Sequence, residues 1–453
     1  MPIPYDDKPS RPAAIFGGIL LLLMLSATLF ETDAYRYASL LMAGFGLFAY
    51  ARMEPKPKTS PMGWLCLLWS VYVLTRFAWY YFDTPNHEHG SSEWLFAFPM
   101  FFPAIGLGFV RLRFHIEKVL AVFFTAAAVL LAVSQHWGVI ASGEPVIPLY
   151  HNNQIHGAVA SGMILIAAFF WFLHYTEDHL RHSPYARLSM VLTPVIIVLA
   201  VISIIGSQSK GVWLALVVAL PVAAVMVIAA QKRPHGRYAM LGLLAAVGLG
   251  IGIFHERLLA RVAPIVDSVV NILENAGSSG NLAAYMQQQI ASGTIPQTLN
   301  ERLEIWYNAL ELFVKAPFFG HANMWIELWD HTRYADVGYT LMHNGYMEIL
   351  IRQGLFGMGI FMIMVIAFIR MVYKGYRAGA VSLAGFQAYL VLLLFFMVTL
   401  LSNSNNRLAI GESFAMIWGG VAFYAEATLR YRRLLGREAP GPQTVEYSLG
   451  KAV

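Results

Sequence analysis

The chain contains 453 residues, of which 58% are hydrophobic and 13% are charged; its formal net charge is +5 at pH 7 and its mean hydropathy is +0.57. A soluble globular protein has about a quarter of its residues charged, so this composition excludes a soluble fold and indicates an integral membrane protein. We expect membrane lipid around such a chain, and no nucleic-acid partner.

Apolar segments recur along the whole chain. About twelve of them have roughly 17 to 22 residues, the length that a helix needs to cross about 30 Å of hydrocarbon. They are continuously apolar rather than alternating, which favours helices over the strands of a barrel. The predicted spans are 13–30, 36–51, 62–82, 93–110, 115–134, 154–174, 187–206, 210–230, 238–255, 345–371, 381–402 and 409–429. The sequence therefore predicts an all-α polytopic membrane protein.

Basic residues indicate how these helices are oriented. Lys and Arg are concentrated in alternate loops, which predicts that those loops and both termini are cytoplasmic. The N-terminus, MPIPYDDKPSRP, lacks the cleavage site and the short apolar core expected of a secretory signal, so we interpret the first apolar segment as a retained span. The single cysteine, Cys66, permits no intrachain disulfide. The cytoplasmic basic groups are Arg52/Lys56/Lys58, Arg111/Arg113/Lys118, Arg181/Arg187, Lys232/Arg233/Arg237, Arg370/Lys374/Arg377 and Arg430/Arg432/Arg433.

One long segment, 256–342, leaves the membrane on the extracytoplasmic side. Its length is uncommon for a simple connection. Its middle is rich in Gly, Ser, Asn and Gln, which predicts poorly ordered turns around a short helix. The predicted organisation is nine transmembrane helices in 1–255, a loop domain in 256–342, three transmembrane helices in 343–429 and a cytoplasmic tail in 430–453.

The end of this loop predicts a helix over 299–315, with a capping box at Thr298 and a stop at Pro317 and Gly320. Leu303, Trp306, Leu310 and Phe313 recur at helical spacing, which predicts a buried stripe, and Glu304, Asn308, Glu311 and Lys315 predict the exposed face. The stripe is compatible with packing on the membrane domain or within the loop's own small domain. Periodicity does not separate the two.

The segment LMHNGYMEILIRQGLFG, 341–357, places His343 where the loop returns to the membrane. An ionisable ring at that depth is a candidate for chemistry. Asn344, Glu348 and Arg352 follow at helical spacing, and we expect Glu348 and Arg352 to form an ion pair. Gly354, Gly357 and Gly359 are interpreted structurally, as small residues that let helices approach closely.

Several further basic residues lie on the same predicted side. Lys210, in the short turn GSQSKG, is either a ligand for an anion or a lysine that extends its ammonium group to the interface. Arg76, Arg257, Arg261 and Arg407 are candidates for an anionic-lipid site. The alternative is that they pair with Asp33, Asp83 or Glu412.

Two histidine-containing segments, HEH at 87–89 and HNNQIH at 151–156, could be drawn as metal sites. Neither has the ligand set of a structural zinc site, so we interpret both as polar loop residues and expect no metal and no cofactor.

The pattern His343-Asn344, nine residues, Gly354, two residues, Gly357 resembles the signature of bacterial O-antigen ligases and the related O-antigen polymerases. Arg302, Trp306, Pro317 and Gly320 resemble a second motif of that family, for which the family implies that Arg302 binds phosphate. The alternative is that Arg302 forms a salt bridge at the start of the helix, with Glu301 or a neighbouring loop. Family members commonly carry an arginine where this chain has Lys210, so bidentate binding of phosphate oxygens is lost there while the charge is kept.

The resemblance implies a glycosyltransferase of the bacterial inner membrane with its active site facing the periplasm. The donor would be a glycan on undecaprenyl diphosphate, and the acceptor a hydroxyl of the lipid A core. His343 would act as general base, with Arg302, Lys210, Asn344, Arg261, Arg257 and Arg407 binding substrate. The alternatives are an O-antigen polymerase, which joins two lipid-linked glycans, and a lipid or solute transporter, which usually carries ionisable groups near the bilayer midplane.

Overall fold

The computed structural model describes residues 8–83, 91–177, 180, 182–230, 234–276, 282–293, 295–337 and 341–436. Within these ranges the chain forms α-helices and short 3-10 segments, and its one β-bridge joins Phe30 and Tyr150. The all-α fold class is confirmed. Before the long loop the helices are α1 (Arg11–Leu25), α2 (Ala34–Arg52), α3 (Pro61–Asp83), α4 (Phe102–Leu112), α5 (Ile116–Val133), α6 (Trp137–Ser142), α7 (Gln154–His174), α8 (Pro184–Ser207), α9 (Lys210–Ala230) and α10 (Pro234–Ile253).

The long loop is itself helical where the structure describes it. Its helices are α11 (His255–Ala276), α12 (Leu282–Ser292), α13 (Gln297–Lys315) and the short α14 (Trp325–Trp329). The predicted short helix in the polar middle of the loop corresponds to α12, while 277–281 and residue 294 lie outside the described residues. The chain ends with α15 (Gly345–Arg377), α16 (Leu383–Thr399) and α17 (Ala409–Leu434).

Nine helical segments of the described chain are long and apolar enough to cross a bilayer. The other three predicted spans coincide with α2, α16 and α17, of which α16 is apolar but has only 17 residues. The multi-pass architecture is therefore confirmed, and the count of twelve is not.

The membrane domain has two apolar cores. One surrounds α7, which is buried on almost every face and is packed by α5, α8, α9 and α16. The other joins α3, α4, α15 and α17. A helix that is apolar and buried all round belongs at the centre of a bundle. The predicted catalytic residue His343 comes directly before Asn344, the N-cap of α15. The packing of α15 in the second core therefore sets the position of the candidate site.

Helix α15 is interrupted at Gly354, whose φ of 64° and ψ of −165° are not helical. The turn 317–320 lies against this break and supplies the missing hydrogen bonds. Leu355 and Phe356 donate their N–H groups to the carbonyls of Pro317 and Phe318, both at 2.9 Å. Backbone groups at a helix break inside a membrane protein need such partners. The loop domain is thus joined to α15 by main-chain hydrogen bonds.

The prediction that all three glycines of α15 permit close helix packing was wrong for two of them. A Cβ on Gly354 would lie 2.3 Å from the carbonyl oxygen of Phe318, so this glycine admits the turn rather than a helix. Gly357 does lie close to Trp69 of α3, at 3.2 Å from the position of a Cβ, whereas Gly359 has open space around it.

The helix predicted over 299–315 is confirmed as α13. The predictions of its cap and of its exposed face were wrong in part. Helix α13 begins at Gln297 with no side-chain cap, so the capping box at Thr298 was wrong. Asn308, predicted on the exposed face, is fully buried and accepts the N–H of Tyr334 at 3.0 Å. The apolar cluster around Ile305 and Leu312 includes Trp325 of the loop and Ile351 of α15, so α13 packs on both domains.

We predict that Gly354→Ala strongly destabilises the protein. Its backbone conformation is nearly restricted to glycine, which costs other residues about 1–3 kcal/mol, and the added methyl group would collide with the turn carbonyl. Gly359→Ala in the same helix is the control, because nothing lies within 4 Å of its Cβ position. Thermal unfolding in detergent should show a lower midpoint for Gly354→Ala alone. Equal midpoints for the two variants would contradict the described role of the turn.

Candidate active site

His343 lies in the left-handed region of backbone space, with φ of 47°. A non-glycine residue persists there when its surroundings hold it, and such positions are concentrated at functional sites. On one side of it, the N–H of Met342 donates to Oε1 of Glu348 at 3.1 Å; on the other, the N–H of Gly345 donates to the carbonyl of Leu400 at 2.7 Å. The imidazole is therefore presented by a rigid turn.

Asn344 forms the N-cap of α15. Its Oδ1 accepts the N–H groups of Tyr346 and Met347 at 3.0 and 3.2 Å, which satisfies donors that a helix start leaves unpaired. This contact gives Asn344 a structural role in orienting α15 beneath His343. Its predicted contact with substrate stays a prediction.

Behind the histidine turn, four charged side chains form a buried cluster. Arg352 donates to Glu93 at 2.8 Å and to Glu348 at 3.2 Å, and Arg407 donates to Glu348 at 3.2 Å. Glu93, Glu348 and Arg352 are at most 1% exposed. The predicted ion pair of Glu348 with Arg352 is confirmed. The two positive charges of the cluster, on Arg352 and Arg407, are balanced by its two glutamates. Removing one member of such a buried pair typically costs about 3–5 kcal/mol, because its partner is left uncompensated.

Two of the candidate cations are thus engaged within the protein. Arg407, predicted to bind substrate, pairs with Glu348. Arg76 donates to the carbonyls of Phe319 and Gly320 at 2.6 and 3.0 Å, so it fastens the 317–320 turn to α3. The suggested partners Asp33 and Glu412 pair instead with Arg36.

Arg302 differs from these residues. It lies on α13, its side chain is only partly buried, and it forms no hydrogen bond or ion pair with the described residues. Burial lowers its pKa from the usual value, because the charged guanidinium loses hydration without gaining a counter-charge. The predicted contact of Arg302 with phosphate stays a prediction.

Burial and the positive charge of Arg302 both lower the pKa of His343. Burial is the largest cause that lowers the pKa of the imidazole, and the positive charge of Arg302 lowers it further, while Glu348 and Glu301 oppose them. The neutral ring is therefore favoured near pH 7. Only neutral imidazole can accept a proton.

Of the remaining predicted cations, the structure locates Lys210 more closely than Arg257 and Arg261. Lys210 opens α9, and a Cβ on the next residue, Gly211, would lie 1.9 Å from Oγ of Ser402, so this helix end meets the turn that follows α16. Lys210 thus lies at the same end of the bundle as His343, with its predicted role untested. Arg257 and Arg261 lie in α11, and their side chains are outside the described residues.

Two residues of this region were missed by the sequence reasoning. Glu93 lies 259 residues before Arg352 in the chain, and folding brings the two side chains into contact. Oδ1 of Asn403 lies 3.3 Å from Nδ1 of the His343 imidazole. The polar run SNSNN, 402–406, at the end of an apolar span was the available signal for Asn403.

A cavity of about 160 Å³ lies between α3, α4, α15 and α17. Its walls are almost entirely apolar, and Asn406, Arg407 and Glu412 stand among its few polar residues. An apolar cavity of about 150 Å³ holds a benzene-sized molecule, so this one accommodates a short length of hydrocarbon chain.

The segment HNNQIH forms a contact that its sequence did not indicate. Nδ1 of His156 lies 2.9 Å from Oε1 of Glu31, and Oε2 of the same carboxylate accepts the N–H of Asn152 at 2.9 Å. These contacts join the segment that contains Glu31 to the start of α7. The segment HEH at 87–89 lies outside the described residues, among which no group of three or more metal-ligating side chains was found.

These features define a class: an all-helical, multi-pass membrane protein with a buried charge cluster and a strained histidine where its loop domain meets the bundle. Residues 195–362 match the family model of O-antigen ligase. The matched segment contains Lys210, Arg302 and His343, so the resemblance found in the sequence is confirmed for this part of the chain. Together with the apolar helices, this match supports a membrane protein of the O-antigen ligase and polymerase type. No curated protein matches the chain.

We predict that Arg302→Gln raises the pKa of His343. Since the positive charge of Arg302 disfavours protonation of the ring, its removal lets the imidazole protonate at a higher pH. Titration of ¹⁵N-histidine-labelled protein, with the signal assigned by its loss in His343→Gln, measures the shift. Lys315→Gln is the control, because this lysine is exposed on the same helix. A pKa that is equal in the two variants would contradict the coupling.

Proposed function

We propose that this protein transfers O-antigen glycan from undecaprenyl diphosphate to a hydroxyl of the lipid A core on the periplasmic side of the inner membrane. His343 is the general base, and Arg302 with Lys210 binds the diphosphate. The observation that carries the proposal is the partly buried guanidinium of Arg302, which has no counter-charge among the described residues and whose positive charge acts on the imidazole of His343, within the segment that matches the O-antigen ligase family.

The reaction needs these two groups for different reasons. The acceptor hydroxyl attacks the anomeric carbon, a new C–O bond forms, and the bond from that carbon to the diphosphate oxygen breaks. His343 takes the hydroxyl proton, because an alcohol is a poor nucleophile until it is deprotonated. The diphosphate leaves as an anion, so it needs fixed positive charge rather than a proton. Direct attack predicts inversion at the anomeric carbon.

The charge balance around the site supports Arg302 as the diphosphate ligand. Arg352 and Arg407 are balanced by Glu93 and Glu348, so they add no net attraction for an anion. Arg302 lacks a counter-charge among the described residues, and a guanidinium binds phosphate oxygens with paired donors. A diphosphate would supply the missing negative charge.

The apolar cavity supports a lipid-linked donor. We propose that it receives part of the hydrocarbon chain, since its polar residues include Arg407, which belongs to the charge cluster behind His343. A chain held in the second core would leave its head group at the end of the bundle where His343 and Arg302 lie.

The proposal is tested by reconstituting the purified protein in liposomes with lipid-linked glycan and lipid A core. We predict that His343→Ala lowers the transfer rate by about 10²–10⁴-fold, the usual contribution of a general base, without weakening donor binding. His331→Ala is the matched control, because His331 is an exposed histidine of the same loop. Undiminished transfer by His343→Ala would refute the assignment of the base.

The same assay separates ligase from polymerase. With lipid A core and a second lipid-linked glycan offered as alternative acceptors, we expect the lipid A core to be extended. Extension of the lipid-linked glycan alone would establish a polymerase with the same donor site. The anomeric configuration of donor and product tests the predicted inversion.

The cavity makes a separate prediction. Ala415 lines it, so Ala415→Phe should fill it and raise KM for a donor with a long polyprenyl chain. The effect should be much smaller for a donor analogue with a single isoprene unit, because that chain needs less of the cavity. Ala245→Phe, on the exposed face of α10, is the control for adding a ring to a helix. Equal KM changes for the two donors would contradict a role for the cavity in chain binding.

A further inference from the structure

The turn that follows α16 places a side-chain amide against His343. Oδ1 of Asn403 lies 3.3 Å from Nδ1 of the imidazole, and Asn403 is 5% exposed. This distance is at the long end for an N–H···O hydrogen bond, as is common for catalytic contacts before substrate binds. Asn403 lies beyond the segment 195–362 that matches the O-antigen ligase family.

The orientation of this amide is linked to its neighbour. Nδ2 of Asn403 donates to Oδ1 of Asn405 at 2.8 Å, and Asn405 is fully buried. With its nitrogen directed at Asn405, Asn403 presents its oxygen to the histidine. An amide oxygen only accepts hydrogen bonds, so Nδ1 of His343 must carry the proton. In neutral imidazole the lone pair is then on Nε2.

From this contact we propose that Asn403 is a positioning residue that fixes the Nδ1–H tautomer of His343, so that Nε2 is the atom that takes the acceptor's proton. The proposal rests on the proposed function for the proton transfer and extends it to a named ring nitrogen and a named partner. Partners of this kind orient a histidine ring and raise its basicity.

The contact fits the rest of the turn. His343 is held in its left-handed conformation through Met342 on one side and Gly345 on the other, and Asn403 adds a restraint on the ring itself. The hydrogen bond to Asn403 favours the protonated imidazole, in opposition to burial and to Arg302. Asn403 therefore limits how far the pKa of the base is lowered.

The first test needs no substrate. Solid-state NMR of ¹⁵N-histidine-labelled protein in lipid bilayers distinguishes protonated from unprotonated ring nitrogens, with His343 assigned by its absence in His343→Gln. Above the pKa we expect the proton on Nδ1, and in Asn403→Ala a mixture of both tautomers. A proton on Nε2 in the unaltered protein, which a joint rotation of the Asn403 and Asn405 amides would give, would overturn the proposal.

The second test uses the pH profile of transfer. Asn403→Ala should lower the rate by tenfold or more, up to the roughly 10²–10⁴-fold loss expected without the base. Asn403→Asp keeps an acceptor for Nδ1–H and adds negative charge, so it should restore much of the rate at high pH and move the acidic limb of the profile to higher pH. Ser402→Ala is the control, because its hydroxyl donates within the same turn, to Thr399 at 3.2 Å.

The two tests separate this inference from the proposed function. Loss of transfer in His343→Ala together with an unchanged rate in Asn403→Ala would overturn the positioning role and keep the base. The Nδ1–H tautomer together with full activity of His343→Ala would keep the contact and overturn its use in proton transfer. Equal losses in Asn403→Ala and Asn403→Asp, with no shift of the profile, would also overturn the proposal.

Discussion

The carboxylate of Glu348 holds the candidate site together. It pairs with Arg352 one helical turn along α15 and with Arg407 from the turn after α16, and it accepts the N–H of Met342 next to His343. It is almost fully buried, so each of these contacts replaces hydration that the charged group has lost. A single side chain thus links the start of α15, the 402–408 turn and the strained histidine.

Helix α15 connects this cluster to the loop domain through its break at Gly354. The glycine allows the 317–320 turn to approach the helix backbone, and Arg76 holds the same turn from α3. Because α13 ends just before this turn and carries Arg302, the position of the guanidinium depends on the break. Arg302 and His343 are therefore positioned through one helix, although they lie on different segments of the chain.

The electrostatics divide the arginines of this region into two groups. Arg352 and Arg407 belong to a neutral cluster and stabilise the turn, whereas Arg302 is partly buried and has no counter-charge among the described residues. We propose that this charge arrangement leaves Arg302, together with Lys210, to bind an anionic ligand. It also keeps His343 neutral near pH 7, which a general base requires. In the proposed function, the apolar cavity in the second core receives part of the hydrocarbon chain of the ligand.

The sequence by itself determined the membrane class, the approximate positions of the long helices, the ion pair of Glu348 with Arg352 and the family motif around His343. These follow from local patterns: continuous apolar length, helical spacing and a short signature. It did not determine the buried face of α13, the role of Gly354 or the engagement of Arg407 and Arg76. Those depend on which segments meet in space, and so does the contact of Asn403 with His343, 60 residues away along the chain. Tertiary structure decided them because the partner of a buried charge or a broken helix is set by packing across the bundle, which a single segment does not encode.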